Sequence, residues 1–249
     1  MELTIFHFIV VGFVAQLIDG SLGMAYGVSS NTFLLSLGLP PASASASVHF
    51  AEVFTTGISG ASHWRFGNVD WNLVKRLALP GVLGGVIGAT ILSKVPGEVI
   101  RPYLSVYLAI IGVYILWKAF RRRRPRQRED APRHISILGI AGGFFDAIGG
   151  GGWGPIVTTS LIAHGNSPRR TVGSVSLSEF AVTLAESITF LLTLGMMNWE
   201  IVAGLLIGGV LAAPFGAYIV RRMPARVLMS VIGVLIILLS ARTLLLAGN

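Results

Sequence analysis

Cysteine is absent from the 249 residues, which excludes disulfides, thiolate nucleophiles and cysteine-ligated metal. Charge is also scarce. Asp, Glu, Lys and Arg make up 12% of the chain, against roughly a quarter in soluble domains. There is no His-Glu-x-x-His, so zinc proteolysis finds no support. The glycine run Gly149–Gly152 has no Lys-Ser/Thr after it and no βαβ pattern around it, so it is neither a phosphate loop nor a dinucleotide fingerprint. Met1-Glu2-Leu3-Thr4 lacks the basic n-region of a cleaved leader. No Lys or Arg sits at the middle of an apolar stretch as a fixed counter-charge.

Hydrophobicity is what the chain has in quantity: 53% of residues, with a mean hydropathy of +0.74. Long apolar stretches joined by short polar loops read as an all-α polytopic protein, multi-pass in the plasma (inner) membrane. A pI near 10.6 would suggest nucleic acid in a soluble protein. Here the arginines lie between apolar stretches, where they mark topology instead. No nucleic-acid partner is expected.

Apolar segments run over residues 3–38, 43–63, 73–94 and 99–120, then 135–165, 171–194, 200–220 and 225–247. That makes about eight membrane segments. Arg121–Arg128 separates the two sets. The expected organisation is an N-terminal membrane repeat (1–120), a basic cytoplasmic linker (121–134) and a C-terminal membrane repeat (135–249). The first segment of each set is broken at an acid followed by glycines: Asp19-Gly20-Ser21-Leu22-Gly23-Met24-Ala25-Tyr26-Gly27, and Asp146-Ala147-Ile148-Gly149-Gly150-Gly151-Gly152-Trp153-Gly154.

The two sets are copies. At an offset of 127, residues 19–56 align onto 146–183 without a gap, with 11 of 38 positions identical. Asp19/Asp146, Gly23/Gly150, Gly27/Gly154, Thr32/Thr159, Gly38/Gly165, Pro41/Pro168, Ser47/Ser174 and Glu52/Glu179 are among them. One inserted residue then pairs Trp71/Trp199, Gly81/Gly209, Gly88/Gly216 and Pro96/Pro224. A shared helical bias does not align acids, glycines and prolines together, so this is an internal duplication.

Loop charges set the orientation. With the linker cytoplasmic and each broken segment dipping in and returning to its own side, the Arg169-Arg170 and Arg221-Arg222-Arg226 loops fall inside. So does the loop with Arg65, Lys75 and Arg76. Each half then crosses an odd number of times and the copies are inverted; a single crossing by each broken segment would instead give parallel repeats, with the Arg169-Arg170 and Lys75 loops outside. The expected fold is two inverted pseudo-symmetric repeats, each with a broken, re-entrant first segment and three transmembrane helices. Matched, glycine-interrupted segments in inverted repeats point to a secondary transporter with its site between the halves.

Two pairs of acids are candidates for coupling or gating. Asp19 and Asp146 either cap a half-helix or stand at the mouth of a site where backbone N–H groups converge. Glu52 and Glu179 lie about nine residues into apolar helices, where burial costs about 3 kcal/mol. An acid so placed is a functional candidate, with a hydrogen-bonded packing role as the alternative. His49 lies three residues before Glu52 on the same face and is a partner for it or for the substrate. Glu186 is a further acid two turns past Glu179. For substrate binding the expected set is Ser21, Gly23, Tyr26, Gly27, Asn31, Thr32 and His49 from the first half. The second half supplies Gly150, Gly151, Trp153, Gly154, Thr158 and Thr159. Glycines there let the backbone approach a ligand and expose its N–H groups. Gly81, Gly84, Gly85 and Gly88, matched by Gly209, Ala212, Ala213 and Gly216, read as close helix packing. Gly57-Ile58-Ser59-Gly60 matches a short pattern seen around intramembrane serine nucleophiles. The second copy has Ser187 near the matching place without the glycines, and no enzyme is expected.

These residues resemble the TauE/SafE sulfite exporters. The likeness rests on the duplicated layout, the D-G-x-x-G-x-x-x-G of Asp19 to Gly27, and the small-residue run Pro41–Ser47 leading into Glu52. The glycine-rich Asp146–Pro155 turn, with Ser174 and Glu179 following, completes it. The resemblance implies export of a small sulfur oxyanion, sulfite or an organosulfonate such as sulfoacetate, without cofactor or metal. Its partners would be that anion and the lipid bilayer, with a homodimer left open. Gly38–Ala44 lacks the Asn or basic residue that Asn166 and Arg169 supply in the second copy, so the half-sites are expected to be unequal. Two rivals stand beside this reading: a cation carrier with Asp19, Glu52, Asp146 and Glu179 as ligands, and a membrane scaffold or sensor without transport.

Overall fold

The computed structural model describes residues 4–22, 25–120, 134–195, 198–222 and 225–247. The expected linker lies outside the described residues, apart from its last position. Among them the fold is all-α, without a strand. The first half runs α1 (Ile5–Leu22), α2 (Tyr26–Ser36), α3 (Pro41–Arg65), α4 (Trp71–Lys94) and α5 (Gly97–Phe120). The second runs α6 (Ile135–Gly149), a π-helical turn (Trp153–Thr158) continuing as α7 (Thr159–His164), α8 (Pro168–Leu194), α9 (Trp199–Arg222) and α10 (Ala225–Ala247). The break expected in the first segment of each half is therefore present in both.

Local chemistry explains the boundaries. Pro41 and Pro168 open α3 and α8 at the first helical position, where a missing N–H costs nothing. Asp70 caps α4, its Oδ1 accepting from the N–H groups of Asn72 (2.9 Å) and Leu73 (3.3 Å). Gly38 and Gly165 follow α2 and α7 with φ of 95° and 112°. Only glycine adopts that left-handed turn at no cost, which explains why this pair is identical between copies.

Described helices long and apolar enough to cross a membrane are Trp71–Lys94, Gly97–Phe120, Pro168–Leu194 and Met229–Leu246. Shorter apolar stretches occur at Ile5–Leu17, Ile135–Gly149 and Trp199–Ala212. Leu192, Val210, Tyr103 and Leu245 are exposed, whereas Ser29, Asn31, His49, Glu52, Asp146 and Glu186 are buried. An apolar outside over a polar inside suits a hydrocarbon solvent.

The halves interleave. Helix α1 lies along α9: Gly12 faces Leu205, Gly204 faces Phe8, and Gly208 faces the Ile9 backbone. Helix α6 lies along α4: Gly84 faces Ile140, Gly88 faces Phe144, and Gly143 faces the Gly81 backbone. In both pairs residue numbers rise together, so the helices are parallel. Exchanging the halves turns the first contact into the second. Helices α3 and α8 pair with numbers running oppositely, Gly57 on Phe180 and Gly60 on Leu177. Helices α5 and α10 do likewise, with Gly112 near Ile237 and the Arg226 guanidinium 4.4 Å from the centre of the Phe120 ring.

Small residues permit these approaches, as expected for the Gly81–Gly88 stripe. On α9 the tight contacts fall at Gly204 and Gly208, while Gly209 has nothing nearer than 3.8 Å to an added Cβ. Gly84→Ala therefore costs about 1–3 kcal/mol through overpacking, and Gly209→Ala costs nothing measurable. Thermal unfolding of the two detergent-purified variants checks the contrast.

Candidate transport site

Each break is held by its own aspartate. Asp19, near the end of α1, accepts through Oδ1 from the N–H groups of Ala25 (2.9 Å) and Tyr26 (3.2 Å) at the start of α2. Asp146, near the end of α6, accepts through Oδ1 from Gly152 (2.6 Å) and Trp153 (2.9 Å). The spacings i+6 and i+7 are the same in both. A carboxylate on N-terminal N–H groups satisfies donors that lipid cannot, and it complements the helix dipole. Both aspartates act as caps, and both also line a cavity beside the breaks.

The two breaks touch each other. A Cβ on Gly27 would strike the Gly150 carbonyl, and one on Gly151 would strike the Val28 nitrogen. Gly150 itself has φ 66°. Asn31 Nδ2 donates to the Gly149 carbonyl (2.6 Å) and Ser45 Oγ to the Ala147 carbonyl (2.5 Å). These carbonyls end α6 and have no partner in their own helix. Side chains of the first half thus finish the broken helix of the second.

Beside this contact lies a cavity of about 310 Å³, at the small end of the ~300–1,000 Å³ typical of small-molecule sites. The breaks contribute Asp19, Tyr26 and Gly27, then Asp146, Gly151, Gly154 and Thr158. Helix α3 contributes Glu52, Thr55, Thr56, Ser59 and His63, and α8 contributes Val172, Val175, Ser176 and Glu179. Four carboxylates line it and no Lys or Arg does, among the described residues.

Nine of the expected site residues thus converge on one space: Asp19, Tyr26, Gly27, Glu52, Asp146, Gly151, Gly154, Thr158 and Glu179. Six of the others stand behind it. Asn31 and Gly150 are packed on each other at the contact between the breaks. Thr32 Oγ1 bonds back to the Val28 carbonyl (2.6 Å). Trp153 is fully buried, donates from Nε1 to the Val175 carbonyl (3.2 Å), and sits on Gly81 and Gly142. Thr159 accepts from Lys118 Nζ (3.0 Å). Ser21 is described only by its backbone, and Gly23 lies outside the described residues.

Gln16, Thr55, Thr56, Ser59, Ser176 and His63 line the cavity without having been expected to. On α3 the positions 52, 55, 56, 59 and 63 form one stripe at helical spacing. Following Glu52 towards the C-terminus would have found them. Gly57 and Gly60 seat Phe180 and Leu177, so their spacing around Ser59 serves helix packing.

His49 is fully buried beside the cavity wall. Its Nδ1 lies 2.7 Å from the Ser45 carbonyl, which can only accept, so Nδ1 carries a proton. Its Nε2 faces Glu186 Oε2 at 2.9 Å and Asp146 Oδ2 at 3.7 Å. Ligand atoms of His49, Asp146 and Glu186 all lie within 4.8 Å of one another. A His with two carboxylates, its other nitrogen on a backbone carbonyl, is also a donor set able to hold a divalent ion.

The family model "Sulfite exporter TauE/SafE" matches residues 8–243. The chain belongs to the TauE/SafE sulfite exporter family. The "Probable membrane transporter protein YtnM" of Bacillus subtilis (strain 168) is 47% identical over 251 residues, covering 98% of this chain and 83% of the relative. "Probable membrane transporter protein YdhB" of the same organism is 25% identical over 230 residues, covering 90% of each. "Probable membrane transporter protein ORF9" of Sinorhizobium sp is 26% identical over 194 residues, covering 76% of this chain and 69% of the relative. No solved structure matches. As a TauE/SafE member the chain is a multi-pass membrane transporter.

The cap makes its own prediction. Asp19→Ala strands two N–H groups and costs about 0.5–2 kcal/mol, whereas Asp19→Asn keeps a carbonyl acceptor and retains most of that stability. Thermal unfolding in detergent reads the difference.

Proposed function

We propose that this transporter exports a small sulfur oxyanion, sulfite or an organosulfonate such as sulfoacetate, by alternating access through the cavity between two inverted repeats. The observation that carries the proposal is the convergence of both breaks on one cavity. The start of α2, at Tyr26 and Gly27, and the π turn, at Gly154, open onto the same space. Half-helix N-termini directed at a shared site are the means by which broken-helix transporters hold anionic groups. The antiparallel pairing of α3 with α8 and of α5 with α10 supports inversion, because a two-fold axis along the membrane normal would make each pair parallel. The repeats are 1–120 and 135–249, joined by a cytoplasmic basic linker.

The four carboxylates bear on mechanism. Two unit charges 4 Å apart interact by about 4 kcal/mol at an effective dielectric of 20. An anion beside ionised Glu52 and Glu179 is strongly disfavoured, so anion loading goes with neutralisation of those carboxylates by protons. An inside-negative potential adds ~2.3 kcal/mol per exported charge per 100 mV. The same lining favours a second reading, cation transport with Asp19, Glu52, Asp146 and Glu179 as ligands, since no Lys or Arg among the described residues lines the cavity.

Flux into proteoliposomes of labelled sulfite, sulfoacetate and divalent cations, at two pH values with and without sodium, tests both. Sulfite or sulfoacetate gradients should dissipate faster than in empty vesicles. Glu52→Gln and Glu179→Gln should each lower that flux roughly tenfold or more. If only cations move, the second reading replaces the first. If nothing moves, the transport proposal in either form fails.

A further inference from the structure

We infer that the structure is the inward-facing state of this transporter, and that His49 and Glu186 form the latch closing its outward half. The inference rests on the inverted-repeat transport reading above. The cavity lies between the C-terminal half of α3, at Glu52 to His63, and the N-terminal half of α8, at Val172 to Glu179. It therefore runs from the two breaks to the end of the molecule where α3 finishes and α8 starts. Arg65, Arg169 and Arg170 mark that end as cytoplasmic. There Asn68 ties the two ends together, accepting from Arg169 Nε at 2.5 Å.

On the other side of the breaks, the N-terminal half of α3 faces the C-terminal half of α8. This half is shut. Ala44 to His49 are all buried, as are Val182, Thr183, Glu186, Ser187 and Phe190. His49 and Glu186 meet here at 2.9 Å, and the Asp146 cap stands 3.7 Å from the same histidine nitrogen.

The duplication shows what is special about this contact. At the offset of 127, His49 corresponds to Ser176; continuing the ungapped register along the helix, Glu186 corresponds to Ser59. Ser59 and Ser176 both line the open cavity. The two halves of the pathway are thus built on equivalent backbone but closed by different chemistry. At these positions one has a buried ionisable pair and the other two hydroxyls that line the cavity, its end being held instead by Arg169 on Asn68. Removing one partner of a buried ionisable pair leaves an uncompensated group, so the pair biases the resting population towards the closed outward half. Its link to Asp146 Oδ2 connects the latch to the cavity, because Asp146 also lines that space. Substrate arriving at Asp146 acts on the latch directly.

The absence of cysteine makes the test clean. Ser176→Cys reports the open side. Ser187→Cys reports the closed side at a buried hydroxyl that has no partner among the described residues. Oriented membrane vesicles are treated from either face with a membrane-impermeant maleimide. In the native background Ser176→Cys labels from the cytoplasmic face and Ser187→Cys is protected. In His49→Gln, Glu186→Gln and the double variant, labelling of Ser187→Cys from the external face rises roughly tenfold or more. The double variant leaves no orphaned partner, so it guards against a misfolded single. The inference is overturned if Ser187→Cys labels in the native background. It is overturned equally if the double variant, still labelling at Ser176→Cys, leaves Ser187→Cys protected. A stoichiometric divalent metal in the purified native protein, lost in His49→Gln, overturns it in favour of a metal centre. Labelling needs no substrate: failed sulfite flux with this pattern intact rejects the substrate reading and leaves the latch standing.

Discussion

A helix that stops inside a bilayer leaves N–H and C=O groups where no water can reach them. The structure depends on how this chain meets that constraint twice. Asp19 and Asp146 take up the N–H groups that restart each broken segment. Asn31 and Ser45, from the first half, take up the carbonyls that end α6 in the second. The breaks cannot be satisfied independently, so the halves must interlock. The glycines follow from that: Gly27 and Gly151 are the points where one break rests on the backbone of the other. The cavity is the space that this contact leaves on one side.

Charge placement follows the same logic. The apolar exterior leaves the acids only the interior, and there they fall into two groups. Glu52 and Glu179 face the cavity. Glu186 faces His49, with no solvent access. Asp146 belongs to both groups: one oxygen caps the π turn, and the other points at His49. Asp146 thus touches both the cavity and the buried histidine.

Much was legible before any coordinates. Acids, glycines and prolines recur at one offset, and that exposed the duplication, the paired breaks and the two acid pairs. Choosing among neighbouring polar residues was less sound. Asn31, Thr32, Trp153 and Thr159 stand beside the breaks and carry the right chemistry, yet each is engaged behind the cavity. A short polar or aromatic side chain near a break is as readily used to finish the backbone or fill the core as to meet a ligand. The cavity stripe on α3 was missed for a different reason. Antiparallel crossing presents the residues after Glu52 on one helix and before Glu179 on the other, whereas matching the repeats invites the same direction on both.

The sequence by itself determined the membrane class, the two-copy architecture, the location of the breaks and the acids that had to be accommodated. Periodicity, composition and offset are properties of the chain alone. Only the tertiary structure decided on which side of the breaks the cavity between α3 and α8 lies, that Asn31 and Ser45 complete the other half's helix, and that Glu186 is partnered by His49. Each depends on which faces of two helices meet, and residues more than a hundred positions apart carry no record of that in their spacing.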